Sequence, residues 1–401
     1  MRINVIGLGY IGLPTTLMLA AHGNDVVGID QNAELVRQLN AGQVTFQEDG
    51  LEDLFFRAVN NGVTFTTEYQ RADVYIIAVP TPYDKLSKKI DATYVINAFR
   101  SVQEVCSDGA AIVIESTVAP GTIDKHIRPL VHKKITLAHA PERIIPGNML
   151  YELEHNSRTI GADDPAVGER IKAIYKTFCQ GDIVVTDNRT AEMTKVVENT
   201  YRDINIAFAN ELTKICHSAG LDVYEIIRIA NMHPRVNILS PGPGVGGHCI
   251  SVDPWFLVGD YPGLANLILT ARRTNDGMPK HVIRRIRDIM REKNITDAAR
   301  VGLYGLTYKE NVDDVRESPT LQLLERLDNS LAGGLVQVYD PWVKKKIVEN
   351  QHDSLEEFLD AVDIVVIMVG HGQIIQNAGK LAGKIVFDTR NVVPVEGKYH
   401  L

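Results

Sequence analysis

Cysteine is scarce in this sequence. The four cysteines are Cys106, Cys179, Cys216 and Cys249, and no two of them fall at metal-motif spacing. That argues against a disulfide scaffold and a zinc ribbon, and no metal is expected. Long apolar runs are also missing. The longest strand-like one, Ile364 to Val369, has six residues, against the ~18 needed for a membrane span. The amino terminus carries one arginine and then a strand-like pattern, not the layout of a secretory signal. A cytoplasmic protein with no membrane partner is expected. Positive charge is in deficit: 42 basic residues stand against 50 acidic ones, a net charge of −8. This argues against a general nucleic-acid binder, which usually carries a basic surface. A small anionic ligand stays possible, because it needs only a local group of cations. The chain has no short-period repeat and no low-complexity tract.

What is present is an ordinary globular composition, 45% hydrophobic and 23% charged over 401 residues. At roughly 100–200 residues per domain the length suits two or three domains. Strand-like runs at Ile3–Ile6, Asp25–Asp30, Val63–Thr67, Val74–Thr81, Ala111–Thr117 and Thr136–Pro141 have helical stretches between several of them, such as Pro14–Ala21 and Ala33–Asn40. Strands separated by helices imply a parallel sheet built of βαβ units. The stretch Tyr83–Asp91 reads as an exposed loop. From Thr190 to about Asn231 glycine and proline are rare and helical periodicity holds, with Gly220 dividing a long helix from a shorter one. A loop of small residues, Ser240 to Cys249, follows, then helices near Ala265–Thr274 and Pro279–Lys293. Alternation returns with strands at Val301–Gly305, Val336–Tyr339, Ile364–Val369 and Lys384–Asp388, and helices at Pro319–Asp328 and Leu355–Ala361. The expectation is an α/β protein, two Rossmann-like doubly wound domains joined by a long central helix.

Gly7-Leu-Gly9-Tyr-Ile-Gly12 directly follows an apolar strand and opens a helix, and Asp30 ends the next strand 18 residues after Gly12. The first glycine permits the tight turn, the second lets backbone approach a pyrophosphate, and the third lets helix pack on strand. The helix amino terminus offers N–H groups and partial positive charge to phosphate. A carboxylate at Asp30 would accept hydrogen bonds from a ribose diol and repel a 2′-phosphate, which favours NAD over NADP.

Lys195, Asn199 and Arg202 share one face of the central helix. Val196, Val197, Ile204 and Phe208 around them suggest that this helix is largely buried, so its polar stripe needs a partner. Cys249 follows Gly246-Gly247-His248, where backbone can approach a ligand closely. A free thiol has a pKa near ~8.5, and a nearby lysine would favour its thiolate. The other three cysteines read as buried structural residues. His248 offers a base, although adjacent side chains diverge, and Asp253 could orient a water. A thiol in an NAD enzyme has a clear use. An aldehyde has no good hydride to give until something adds to its carbonyl. A thiolate makes a thiohemiacetal, which can give a second hydride and leave a thioester for hydrolysis. The combination points to oxidation of an alcohol to an acid with two NAD.

The chain resembles the UDP-glucose/GDP-mannose dehydrogenase family. The likeness rests on Gly7-Leu-Gly-Tyr-Ile-Gly-Leu-Pro14, Val79-Pro-Thr-Pro82, Glu115-Ser-Thr117, Pro141-Glu-Arg143, Thr190-Ala-Glu-Met-Thr-Lys195, Glu198-Asn-Thr-Tyr-Arg-Asp203, Gly246-Gly-His-Cys249, Gly305-Leu-Thr-Tyr-Lys309 and Arg316-Glu-Ser-Pro319. It implies an NAD-binding domain over 1–189, a central helical domain with the cysteine loop over 190–294, and a UDP-sugar-binding domain over 295–401. By this resemblance Gly7, Gly9, Tyr10, Ile11, Gly12, Asp30, Thr81 and Thr117 contact NAD, with Arg316 reaching the nicotinamide side. Cys249 is the nucleophile. Lys195 and Asn199 hold the substrate oxygen, Lys195 as acid and base, and Thr117 belongs to the same catalytic group. Glu142 and Asp253 handle the hydrolytic water. Arg143, Ile144, Arg202, His233, Arg235, Gly246, Tyr308 and Lys309 form the UDP-sugar site, together with Lys195 and Asn199. A homodimer through the central helix and a role in polysaccharide, capsule or cell-envelope precursor synthesis are also implied.

The runs His233-Pro-Arg-Val-Asn237, Pro241 to Ile250 and Val252-Asp-Pro-Trp255 are similar to the branch that oxidises UDP-N-acetyl-D-mannosamine. The UDP-glucose branch has aromatic residues where Pro243 and Val245 stand here. UDP-N-acetylglucosamine is the alternative substrate. A single-step β-hydroxyacid dehydrogenase would need neither Cys249 nor residues 300–401. A short-chain dehydrogenase is excluded, since no tyrosine has a lysine four residues later. An NAD-binding regulatory module would not need the polar stripe and the loop thiol together.

Overall fold

The computed structural model describes residues 1–84, 86–247, 249–327 and 331–401. The chain divides into two compact units, one of 1–198 with 255–260 and the other of 199–254 with 261–401.

In the first unit the short apolar runs become β1 (Arg2–Ile6), β2 (Asp25–Ile29), β3 (Thr64–Thr66), β4 (Val74–Ile77), β5 (Ala111–Ile114), β6 (Thr136–His139), β7 (Arg158–Ala162) and β8 (Ile183–Thr186). They form one sheet in the order β3-β2-β1-β4-β5-β6-β7-β8. All neighbours are parallel except β6 and β7. Strands such as β4 and β5 are buried at every position, as expected when helices cover both faces of a parallel sheet. Ile6 pairs with Ile29 of β2 on one side and Ile77 of β4 on the other. The strand order reverses at β1, which is where such sheets bind ligands beyond their carboxyl ends. Two hydrophobic clusters, one around Leu13, Leu17 and Phe55 and one around Phe99, Ile112 and Val102, lie within this unit.

In the second unit β9 (Val301–Tyr304), β10 (Gln337–Tyr339), β11 (Ile364–Ile367) and β12 (Ile385–Asp388) form a wholly parallel sheet in the order β10-β9-β11-β12. The helix Met278–Glu292 turns Val282, Ile286 and Ile289 into its core. The expected two Rossmann-like folds are therefore present. The helix Asn188–Ala219 runs from the first unit into the second and ends at Gly220, whose φ is +66°. The next helix, Val223–Ala230, is capped by the Asp222 side chain, which accepts from Tyr224 N.

The differences from the sequence expectation are local. β7 and β8 were not anticipated, because Arg158 and Gly161 interrupt the apolar pattern of β7 and β8 has only four residues. The helices Leu51–Asn60, Thr93–Val105 and Asp253–Asp260 are likewise additions. The expected helix Pro319–Asp328 runs over Pro319–Arg326, and Asp328 lies outside the described residues. Tyr83–Asp91 is a loop but a closed one: Tyr83 and Ile90 form an antiparallel bridge, and the Lys88 ammonium sits 4.2 Å from the Trp255 ring centroid. Lys85 within it lies outside the described residues.

Candidate active site

The glycine turn sits at the carboxyl end of β1. Gly7 has φ +91°, and a Cβ there would stand 2.6 Å from the Ala78 carbonyl oxygen. A Cβ on Gly12 would meet the Gly7 carbonyl oxygen at 1.8 Å, so the helix Gly12–Ala21 can start only with glycine. Gly9 is different: a Cβ there would meet nothing within 4 Å. The space above Gly9 is what a pyrophosphate needs to approach backbone. Tyr10 packs on Phe46, with ring centroids 4.5 Å apart, and Ile11 precedes the helix as its cap. Asp30 is aimed at the same turn. Its Oδ2 accepts from Leu8 N at 2.8 Å and its Oδ1 from Asn32 N at 2.8 Å. Each carboxylate oxygen has a further lone pair for a ribose hydroxyl. These residues fit a bound NAD.

Thr81 and Thr117, both half-buried, follow β4 and β5. Their loops are tied together through Ser116, whose Oγ donates to the Val79 carbonyl at 2.7 Å. Glu192 anchors the rest of the Thr117 loop from the central helix. Its carboxylate accepts Gly121 N at 2.5 Å and Ile123 N at 2.9 Å. Burial pushes Glu192 up to about 7, partly offset by those two N–H donors.

Glu142 is not a lone carboxylate. Its Oε1 accepts Arg143 N at 2.7 Å and its Oε2 accepts the Arg158 guanidinium. Arg158 is 3% exposed. Its guanidinium carbon lies 4.4 Å from the Tyr175 ring centroid, and its Nη1 lies 3.8 Å from Glu115 Oε1. Tyr175 donates its hydroxyl to Glu115 Oε1 at 2.9 Å. Burial pushes Glu115 up to about 7, with Arg158 pulling it down and Glu142 pushing it further up. The Arg143 side chain donates to Ser157 and Thr159 and pairs with Glu198 at 2.5 Å. A phosphate reaching Arg143 would have to compete with Glu198. Ile144 is buried in the first hydrophobic cluster.

The central helix splits the expected polar stripe. Lys195 and Asn199 are buried, one turn apart, while Arg202 is exposed. The expectation of a largely buried helix needs correction. Val197 and Phe208 are 47% and 51% exposed, as are neighbouring Tyr201 and Ile215 at 63% and 56%. The buried side of the helix is instead the one carrying Val196, Thr200, Asp203 and Asn210.

In the second unit Asn199 donates its amide N–H to Asp253 Oδ2 at 2.6 Å, joining two expected catalytic residues. Cys249 is exposed, whereas Cys106, Cys179 and Cys216 are buried as expected. The Cys249 carbonyl accepts Asp253 N at 2.8 Å, at the start of the helix Asp253–Asp260. The glycines before the cysteine have a reason other than ligand approach. A Cβ on Gly246 would strike the Glu317 carbonyl at 2.6 Å and Tyr308 Cβ at 2.7 Å. Gly247, at φ +82°, would strike the Tyr308 ring at 2.8 Å, and its N–H donates to the Arg316 carbonyl at 3.0 Å. The loop is thus docked on Tyr308 and Arg316, two residues expected to touch ligands. Arg316 itself grips Asp314 through Nε and Nη2, at 2.8 and 2.6 Å. Lys309 is half-buried and its carbonyl accepts the Thr307 hydroxyl at 2.8 Å. His233 and Arg235 are exposed on the segment after the helix Val223–Ala230. His248 lies outside the described residues.

Two buried supports were not anticipated. Arg272, 1% exposed, donates to Asp203 at 2.5 Å and to the Ile250 carbonyl at 3.4 Å, beside Cys249. Asn275 donates to the same Asp203 oxygen at 2.8 Å. Burial pushes Asp203 up to about 6 against the pull of Arg272. The second support is a copy of the dinucleotide turn. Gly305 follows β9 at φ +100°, and Leu306 N donates to Asp340 Oδ2 at 2.5 Å, as Leu8 N does to Asp30. Asp340, however, is 3% exposed and accepts from Thr307, Trp342, Val343 and His371 as well. It has little capacity left for a ribose. The second unit keeps the nucleotide fold with its ribose carboxylate sealed.

The open turn at Gly9 and the poised Asp30 define the first unit as a dinucleotide-binding domain of the dehydrogenase type. Three family models match along the chain. The NAD binding domain of the UDP-glucose/GDP-mannose dehydrogenase family matches 1–179, its central domain 189–277 and its UDP binding domain 302–395. The chain belongs to that family and is an NAD-dependent oxidoreductase acting on a UDP-sugar. It is 45% identical over 404 residues to a UDP-N-acetyl-D-mannosamine dehydrogenase of Methanocaldococcus jannaschii, covering 98% of this chain and 92% of that protein. Among solved structures it resembles a UDP-D-ManNAc dehydrogenase of Pyrococcus horikoshii, with TM-score 0.92, 37% identity, and coverage of 100% of this chain and 98% of that one. It also resembles the UDP-N-acetyl-mannosamine dehydrogenase Cap5O of Staphylococcus aureus, with TM-score 0.89, 40% identity, and the same coverages. Among the described residues no helix is long and apolar enough to cross a membrane.

Proposed function

We propose that the protein oxidises the C6 alcohol of UDP-N-acetyl-D-mannosamine to the uronic acid in two NAD-dependent steps, through a covalent intermediate on Cys249. The observation that carries this reading is the exposure of Cys249, alone among the four cysteines, on a glycine loop docked against Tyr308 and Arg316. The named relatives support the mannosamine epimer, and UDP-N-acetylglucosamine is the less favoured alternative.

When bound at Gly7, Gly9, Tyr10, Ile11, Gly12, Asp30, Thr81 and Thr117, with Arg316, NAD accepts the hydride of each oxidation. Lys195 takes the C6 hydroxyl proton as the alcohol becomes an aldehyde, and Asn199 donates to the same oxygen. The Asn199–Asp253 hydrogen bond fixes which way that amide points. The Cys249 thiolate then adds to the aldehyde carbon, and Lys195 returns the proton to oxygen. Removal of that proton in the second oxidation leaves the thioester. Water, oriented by Glu142 and Asp253, adds to the acyl carbon. The C–S bond breaks with its electron pair going to sulfur, and the acid leaves as carboxylate, both protons of the water being released. Stabilising the oxygen that gains negative charge in each step is where such sites gain most of their rate. Arg143, Ile144, Arg202, His233, Arg235, Gly246, Tyr308 and Lys309 are assigned to the UDP-sugar, whose pyrophosphate suits arginine in particular.

The domain roles follow: residues 1–189 hold NAD, 190–294 carry the cysteine loop and 295–401 hold the UDP-sugar. We assign a homodimer through the central helix. Val197, Tyr201, Phe208 and Ile215 are exposed, and at about 100° per residue they fall within about 40° of one another around the helix. A Phe208→Glu variant eluting as a monomer would support this, and an unmutated protein that is monomeric by light scattering would end it. A cytoplasmic location and a product destined for polysaccharide or cell-envelope synthesis complete the proposal. The test is NADH release with UDP-N-acetyl-D-mannosamine, UDP-N-acetylglucosamine, UDP-N-acetylgalactosamine and UDP-glucose. The expected result is highest kcat/KM for the mannosamine sugar with two NADH per acid formed. One NADH per sugar with accumulating aldehyde, or a higher kcat/KM for another epimer, contradicts it.

A further inference from the structure

Arg158 is a costly residue to bury, and its surroundings indicate what it does. It stands at the start of β7 with its guanidinium between the Tyr175 face, at 4.4 Å, and two carboxylates. A desolvated guanidinium is tolerable only when paired, and removing a partner from such a pair is strongly destabilising. The two carboxylates are treated unequally. Glu142 receives a direct hydrogen bond from Arg158 Nη2, whereas Glu115 lies 3.8 Å from Nη1, too far for one. Glu115 is instead held by the Tyr175 hydroxyl at 2.9 Å. With Arg143 N on its other oxygen, Glu142 is gripped at both ends of its carboxylate. A free glutamate side chain has several rotamers, and this one has its carboxylate plane fixed.

We propose that Arg158 is a positioning residue for thioester hydrolysis, holding Glu142 in the single orientation from which it directs the attacking water. Glu115 and Tyr175 in turn hold Arg158, Glu115 by balancing its charge and Tyr175 by stacking on it. The inference rests on the assignment of Glu142 to the hydrolytic water. The two oxidations rely on Lys195, Asn199 and Cys249 and not on this clamp, so its loss should be felt in one half of the reaction only.

The experiment is rapid-mixing NADH formation with intact-protein mass measurement on Arg158→Lys, Arg158→Gln and Glu142→Gln, using UDP-N-acetyl-D-mannosamine. Arg158→Gln should release close to two NADH per site in a first turnover and then slow. Steady-state turnover should fall roughly tenfold to a hundredfold, the scale of a misplaced catalytic group. A sugar acyl adduct should accumulate on Cys249. Arg158→Lys, which keeps the charge, should recover part of the rate, and it serves alone if the glutamine variant does not fold. In a Glu142→Gln background Arg158→Lys should slow hydrolysis no further. A merely structural arginine would lower the first-turnover amplitude and the steady state together and leave no adduct, which would overturn the proposal. Normal steady-state turnover in Arg158→Lys and Arg158→Gln, beside slow hydrolysis in Glu142→Gln, would also overturn it. Normal hydrolysis in Glu142→Gln would remove the role of Glu142 itself.

Discussion

Replacing Glu192 by glutamine should change how stability depends on pH. Burial lifts the Glu192 carboxyl from its ordinary 4.5 to about 7, although Gly121 N and Ile123 N both donate to it. Unfolded, the same group titrates near its ordinary value. Between roughly pH 4.5 and 7 the folded chain therefore holds a proton that the unfolded chain has lost, and stability falls as pH rises across that window. A rise from 4.5 to about 7 corresponds to about 3 kcal/mol at most. Glutamine cannot ionise, so the variant lacks this loss. It has a fixed handicap of about 1 kcal/mol, because its amide nitrogen faces an N–H that the carboxylate accepted. Relative to the unmutated protein, Glu192→Gln should be the less stable near pH 5, should gain as pH rises to about 7, and should then level off. At about 2–4 °C per kcal/mol for a unit of this size, the Tm difference should shift by up to about 10 °C. The assay is a thermal melt of both proteins in buffers from pH 5 to 8.5 at one ionic strength. A Tm difference that stays constant over that range would refute the reasoning.

Asp30→Ala removes the expected ribose acceptor and the anchor of Leu8 N. KM for NAD should rise about tenfold to a hundredfold, the value of a hydrogen bond to a charged group, and the preference over NADP should narrow. Equal use of both cofactors by the unmutated protein would show that Asp30 does not read the ribose. Gly247→Ala places a Cβ at φ +82° and 2.8 Å from the Tyr308 ring. The left-handed conformation alone costs about 1–2 kcal/mol, so turnover should drop with the loop displaced, and unchanged kcat would show that the loop tolerates the move.

The parts legible in sequence were those written over short distances. The strand, glycine turn, helix and Asp30 lie within one βαβ unit, and the structure brings Asp30 onto the Leu8 N–H of that turn. The long helix and its end at Gly220 were equally plain. What remained hidden depends on residues far apart in the chain. Gly246 and Gly247 invited a reading of ligand approach, but Tyr308 and the Glu317 carbonyl are what exclude their side chains. The apolar residues of the central helix suggest burial, yet Val197 and Phe208 face outward. Arg158 gave no signal at all, since its partners Glu115, Glu142 and Tyr175 come from three separate segments. Asp340 carries no sequence signal, because its role depends on the pairing of β10 with β9 and on the turn at Gly305 that matches the one at Gly7.

The claim that matters most is that Cys249 forms the covalent bond to the sugar. The direct measurement is acid production and first-turnover NADH by Cys249→Ala with UDP-N-acetyl-D-mannosamine and NAD, beside a melting curve. Cys249 is exposed, so its loss should leave Tm close to that of the unmutated protein. Binding of NAD and UDP-sugar should persist, since Cys249 is not among the residues assigned to hold them. Acid formation should fall by several orders of magnitude, as expected when a covalent nucleophile is removed, with at most a slow first oxidation remaining. Near-normal acid production by Cys249→Ala would contradict the mechanism.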